Sequence, residues 1–127
     1  MSTEGRRARR VADLLRSELC EALGRELGDP EFAGLVVTDV SVSADLGVAR
    51  VTVRLLTADT GEARRRAALR ALHRASGRLR RLVGPRLGLR RTPELRFAYD
   101  VGQDALDRVA ELLDEIAKEP HSSEGDG

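Results

Sequence analysis

One cysteine, two phenylalanines, one tyrosine, no tryptophan and no asparagine set the first limits on this chain of 127 residues. A lone Cys20 excludes an internal disulfide and every zinc site built on a cysteine pair, and it fits a reducing compartment. Its place at the edge of an apolar helical stripe makes it an inert, partly buried thiol. With Phe32, Phe97 and Tyr99 as its aromatic residues, the core must come from leucine, valine and alanine, within a hydrophobic fraction of 41%. No apolar run approaches the roughly 20 residues that cross a bilayer, and the first ten residues lack the apolar stretch of a secretory signal. A cytoplasmic protein without a membrane partner is expected. The length allows one core and is too short for two independent ones.

What the chain has is arginine, and it is concentrated. The net charge is +1, from 22 cations and 21 acids, yet residues 64–91 hold eleven arginines and no acid. Lys118 is the one lysine. At 100° per helical residue, Arg66, Arg70, Arg74, Arg78 and Arg81 fall on one side of a helix, with Ala68, Ala71, Leu72, Ala75, Leu79 and Leu82 on the other. One side can pack and the other can hold phosphates, because a guanidinium stays charged and donates in a planar fork. A merely solubilising face would interleave both signs.

The flanking elements follow from period. After a basic start at Arg6, Arg7, Arg9 and Arg10, the residues Val11, Leu14, Leu15, Leu19, Ala22, Leu23 and Leu27 mark an amphipathic helix that Gly28, Asp29 and Pro30 end. From Leu35 to Ser43 the period is two, and a turn at Ala44, Asp45, Leu46 and Gly47 leads to a second strand, Val48 to Leu55, so the pair forms an antiparallel hairpin. Gly77 weakens the arginine-rich helix, and Gly84 and Pro85 stop or bend it, so two short helices meeting at Gly77 are expected. A third strand runs from Glu94 to Tyr99. A last amphipathic helix carries Val101, Ala105, Leu106, Val109, Leu112, Leu113 and Ile116, whose stripe needs a core to cover. The order of elements predicts an α+β domain, a three-stranded sheet with helices covering one face. Residues 1–117 form the domain, with 1–8 flexible, and the small, polar stretch 118–127 is a disordered tail.

Several blocks, taken in order, resemble the bacterial ribosome-binding factor A family. They are Arg10-Val11-Ala12, Asp29-Pro30, Val37-Thr38-Asp39-Val40, the run from Ser43 to Val51, Ala75-Ser76-Gly77, Arg91 to Phe97, and Tyr99-Asp100. The resemblance implies a type II KH-like fold in which a kinked helix pair at Ala75-Ser76-Gly77 stands where ordinary KH domains carry a Gly-x-x-Gly loop. It also implies binding to the small ribosomal subunit, its precursor and its rRNA during late maturation, release before translation, no cofactor and no enzymatic activity. The free protein is expected to be a monomer, with small-subunit proteins as further contacts. The candidate RNA-binding set is Arg66, Arg70, Arg74, Ser76, Gly77, Arg78, Arg81, Arg90 and Arg91. Gly77 could let a nucleotide backbone approach closely, or could be a helix C-cap with no ligand. Arg78 stands where the family often has an aromatic residue, which leaves base stacking there to a guanidinium plane. Glu31 stands where a basic residue is common.

Other constellations are bland. His73 and His121 are far apart in sequence, and no metal site or proton relay is indicated. Asp104, Asp107, Glu111, Asp114 and Glu115 follow the polar face of the last helix, which reads as solvated. Phe97 and Tyr99 could form a stacking platform, but they share a face with Leu95, which favours the core. A sequence-specific DNA-binding regulator is the alternative function; it is disfavoured because the chain has no asparagine and its one glutamine, Gln103, lies outside the basic segment, so bidentate adenine contacts are missing. An enzyme would need a clustered acid and base or a metal site, and neither is legible.

Overall fold

The computed structural model describes residues 3–26 and 28–118, with the side chains of residues 3, 4, 26 and 103–108 left aside. The elements are α1 (Thr3–Glu21), β1 (Leu35–Val42), β2 (Val48–Leu55), α2 (Glu62–Leu87), β3 (Glu94–Tyr99) and α3 (Gly102–Lys118). A π-helical turn, Ala22–Glu26, finishes the first helix, and a short 3-10 turn, Pro30–Phe32, precedes β1. Asp29 caps that short turn, its carboxylate accepting from the Glu31 N–H at 2.8 Å. The start expected to be flexible over residues 1–8 is helical from Thr3 onward, and Ala8 is buried. Residues 1 and 2, Leu27, and the tail from 119 with His121 lie outside the described residues.

The sheet order is β1-β2-β3. β1 and β2 pair antiparallel from Leu35 with Leu55 to Val42 with Ala49, with a bulge between Val37 and Asp39. The Thr38 hydroxyl donates to the Thr52 carbonyl at 3.2 Å beside that bulge. In the hairpin turn Leu46 holds φ 61°, a left-handed conformation that a leucine rarely adopts. Asp45 holds the turn together, accepting from the Ser43 hydroxyl at 2.7 Å and the Gly47 N–H at 3.0 Å. The Ser43 bond first, and the Gly47 bond second, hold the Asp45 carboxyl below the ordinary aspartate value. Its hold on the turn is therefore present above the aspartate range and is lost as pH falls through that lowered value.

β3 runs parallel to β2, Val48 opposite Glu94 and Val53 opposite Tyr99. A parallel neighbour cannot be reached by a hairpin, and α2 is the crossover that returns the chain. α1 lies against β1 and α2 against β3. One sheet face is therefore covered, and its residues Leu35, Val37, Val40, Ala49, Val51, Val53, Leu55 and Leu95 are buried. From the helices, Leu15, Leu19, Leu72, Leu79 and Val83 close the core. Burial of each leucine stabilises the fold by about 1.5–3 kcal/mol relative to exposure. The core is aliphatic, as the composition requires, with Phe32 buried and Phe97 and Tyr99 packed at its margin.

Several elements differ from the expectation. The pair of short helices is a single hydrogen-bonded helix that runs from Glu62 through Ala75, Ser76, Gly77, Gly84 and Pro85 to Leu87. Gly77 is not among the residues of positive φ, whereas Gly88 (φ 67°) is and ends α2 in a left-handed cap. Buried Val83 and Leu87 hold the last turn against the core, which offsets the hydrogen bond that Pro85 cannot make. Among the described side chains, the stripe of α3 does not cover the core: Val109, Leu112, Leu113 and Ile116 are 51–60% exposed, and the side chains of Ala105, Leu106, Asp104 and Asp107 lie outside those described. Leu14 at 41% and Cys20 are exposed as well, rather than packed.

Candidate nucleic-acid interface

α2 forms because 19 of its 26 residues are alanine, leucine or arginine, all strong helix formers. Its buried stripe is Ala68, Ala71, Leu72, Ala75, Leu79, Val83, Gly84 and Leu87. That places Arg66, Arg70, Arg74, Arg78 and Arg81 on the solvent side, all exposed, along roughly 22 Å of helix at 1.5 Å per residue. Arg90 and Arg91 are exposed in the bend that follows Gly88.

The eleven arginines are not equivalent. Four hold the fold together. Arg64 donates to the Glu31 and Ala33 carbonyls (3.0 and 3.3 Å), which ties α2 to the turn before β1. Arg65 donates to the Thr60 carbonyl at 2.7 Å and lies over the Tyr99 ring, 4.6 Å from its centre. The Tyr99 hydroxyl in turn accepts from the Leu55 N–H at 3.0 Å. Arg80 donates to the Pro93 and Thr92 carbonyls (3.1 and 2.7 Å), fastening α2 to the start of β3. Arg86 pairs with Glu18 of α1 at 2.9 Å.

Two more face a carboxylate on the surface: Arg66 pairs with Glu62 at 2.8 Å and Arg74 with Glu31 at 3.2 Å. Arg70, Arg78, Arg81, Arg90 and Arg91 have no hydrogen-bond or ion-pair partner among the described residues. Positive charge without compensation is thus narrower than the run of arginines implies, and it is centred on the second half of α2. The missed signal was the acid at Glu31, distant in sequence and adjacent in space.

Gly77 is exposed within this group. A Cβ added there would meet just the Arg81 guanidinium, at 3.6 Å, so the backbone lies open between arginines. Ser76 is half-buried, and its hydroxyl donates to the His73 carbonyl at 2.9 Å, which turns it into the helix rather than outward. Gly84 has a different role. Thr92 Oγ1 sits where a Gly84 Cβ would be, so glycine there lets the chain entering β3 pass over the helix.

The uncovered sheet face is mixed in charge. Arg50 lies opposite Arg96 across the β2–β3 pair, with Arg54 further along β2. Glu94 pairs with Arg96 at 3.1 Å, and Asp39 is exposed opposite Thr52. Among the described residues no group of three or more histidine, cysteine, aspartate and glutamate side chains could hold a metal. None of the described helices is long and apolar enough to cross a membrane.

This is a type II KH-like α+β protein with one long arginine-bearing helix. A family model described as ribosome-binding factor A matches residues 7–113. A ribosome-binding factor A from Sorangium cellulosum is 49% identical over 116 residues, covering 91% of this chain and 93% of the relative. One from Syntrophobacter fumaroxidans is 42% identical over 115 residues, covering 91% and 97%. The crystal structure of ribosome-binding factor A from Thermus thermophilus is 33% identical, with a TM-score of 0.63 over 72% of this chain and 93% of that one. Coordinates of the Thermus thermophilus factor fitted into a cryo-electron microscopy map of its complex with the 30S subunit are 36% identical, with a TM-score of 0.50 over 68% and 92%. The chain belongs to the ribosome-binding factor A family. These likenesses give the DNA-binding alternative no support.

Proposed function

We propose that this protein is an assembly factor that binds the small ribosomal subunit and its rRNA during late maturation, including the stage of rRNA processing, and that it catalyses no reaction and needs no cofactor. The observation that carries this reading is the group of uncompensated arginines around an open glycine backbone on α2. A phosphodiester chain can take bonds from Arg70, Arg78, Arg81, Arg90 and Arg91 and approach the helix at Gly77. Arg66 and Arg74 join the contact once phosphate replaces the Glu62 and Glu31 carboxylates. Ser76 acts through the helix, since its hydroxyl is engaged. The family membership supports the reading, as does the complex of the Thermus relative with the 30S subunit. Residues 1–117 act as one cytoplasmic RNA-binding domain, monomeric when free, and small-subunit proteins flank the rRNA contact.

Gradient sedimentation of a cell extract tests this. The protein is expected with free small subunits and their precursors and away from translating ribosomes. Recovery mainly with translating ribosomes, or at the top of the gradient in low salt, would overturn it.

A further inference from the structure

The outer edge of β1 is open. Ser43 N–H donates to the Val48 carbonyl at 2.9 Å, and the register continues with Ser41 opposite Arg50 and Asp39 opposite Thr52. In an antiparallel ladder alternate residues exchange both bonds with their partners, and the residues between them turn N–H and C=O away. Val40 and Val42 are those residues. β1 is bonded to β2 alone, so the backbone groups of Val40 and Val42 face outward with no partner among the described residues. Edge strands are protected by charged side chains, prolines, bulges or a covering element; Leu35–Val42 has a bulge and the charge of Asp39 but no lysine or proline. Its bulge lies before Asp39 and leaves the stretch 39–42 regular.

A cavity of about 500 Å³ opens beside that same stretch, walled on one side by α1 and on the other by β1. On the helix side Gly5, Ala8 and Ala12 leave room by being small. The stretch 39–42 gives an incoming strand about 13 Å to follow at 3.3 Å per residue. Charged groups lining it are Arg9, Asp13 and Asp39. Asp13 and Asp39 are exposed, without an ion-pair partner among the described residues, and they outnumber the single arginine. RNA is a poor occupant, since carboxylates repel phosphates. A second copy is also a poor one: β1 carries Asp39 and no basic residue, so a second β1 offers no cation to meet it.

We propose that the groove between α1 and β1 is a docking site for an extended, lysine- or arginine-bearing segment of a partner protein, which adds to the edge of β1 as a fourth strand. Main-chain bonds to Val40 and Val42 supply the registration, and Asp13 and Asp39 select a basic segment. This surface lies on the β1 side of the sheet, whereas α2 packs over β3, so protein and RNA can be held at once.

A labelled peptide of alternating lysine and valine is the probe, with alternating glutamate and valine as its control. Amide exchange is followed by NMR on the full chain. At saturation the lysine peptide is expected to slow exchange at Val40 and Val42 by about tenfold or more. Asp39 and Ser41, already bonded to β2, should change little, and the glutamate peptide should have no effect. The double variant Asp13→Lys, Asp39→Lys changes two exposed positions, and it should weaken lysine-peptide binding by roughly tenfold with an unaltered melting temperature. The proposal is overturned by unchanged exchange at Val40 and Val42, by equal binding of both peptides, or by protection that grows with protein concentration alone. None of these readouts involves RNA, so failure here is separable from failure of the function proposed for α2.

Discussion

Gly77 sits mid-helix on the exposed face of α2 without a strained φ and without a neighbour that a methyl group would strike. Nothing in the fold itself requires glycine there, and alanine would stabilise a helix interior by about 0.5–1 kcal/mol. Gly77→Ala is therefore expected to have effects of opposite sign: a higher melting temperature, and an affinity for small-subunit RNA lower by roughly three- to tenfold because the methyl group holds the phosphate chain off the backbone. A gain in stability with unchanged affinity would remove Gly77 from the contact. Glu31 is the other informative residue, because its carboxylate occupies Arg74, which the proposed function assigns to an RNA phosphate. Both side chains are substantially exposed, so the pair contributes at most about 1 kcal/mol. Glu31→Gln should tighten RNA binding by roughly two- to fivefold, read by filter binding at low salt.

Within α2, the division between arginines that hold the fold and arginines that face solvent makes a sharp contrast. Arg64→Ala and Arg80→Ala each leave carbonyls of two residues without their donor, and each should lower stability by about 1–2 kcal/mol in urea unfolding. Arg70→Ala and Arg78→Ala should leave stability within about 0.5 kcal/mol and act on RNA affinity alone. Periodicity could not make this distinction. The buried stripe of Ala68, Leu72, Ala75 and Leu79, the hairpin and the extent of β3 were all legible, since each is a local repeat. The parallel pairing of β3, the Arg64 and Arg80 bonds, and the pairing of Glu31 with Arg74 join distant segments, so no local pattern carries them. Helix continuity through Gly77 and Pro85 was misread because local breakers were overridden by packing of Ala75 and Leu79 around the first and of Val83 and Leu87 around the second. The helix α3 was misread in the opposite sense: an amphipathic stripe predicts a face that can pack, not one that does. A 17-residue helix whose described apolar side chains are exposed is marginal in water. Truncation after Val101 should therefore shift the melting temperature by no more than about 2–4 °C. A larger loss would mean that α3 covers the core in solution.

At the scale of the whole molecule, a net charge of +1 conceals a dipolar arrangement. Arginines crowd α2 and the bend after it, while α3 carries Glu111, Asp114 and Glu115. Such a domain is steered to a polyanion by one side. With five arginines free of acidic partners, and Arg66 and Arg74 joining when phosphate displaces their carboxylates, the logarithm of affinity should fall against the logarithm of salt with a slope between about −3.5 and about −5 on single-stranded RNA, at about −0.7 for each phosphate contacted. The most direct test compares this salt dependence in the wild type and in the triple variant Arg70→Glu, Arg78→Glu, Arg81→Glu, using purified small subunits as the ligand. The triple variant is expected to keep its circular dichroism spectrum and melting temperature and to lose measurable binding. A folded triple variant that binds small subunits with the affinity and salt slope of the wild type would contradict it and move the RNA contact off α2, toward Arg50, Arg54 and Arg96 on the open face of the sheet.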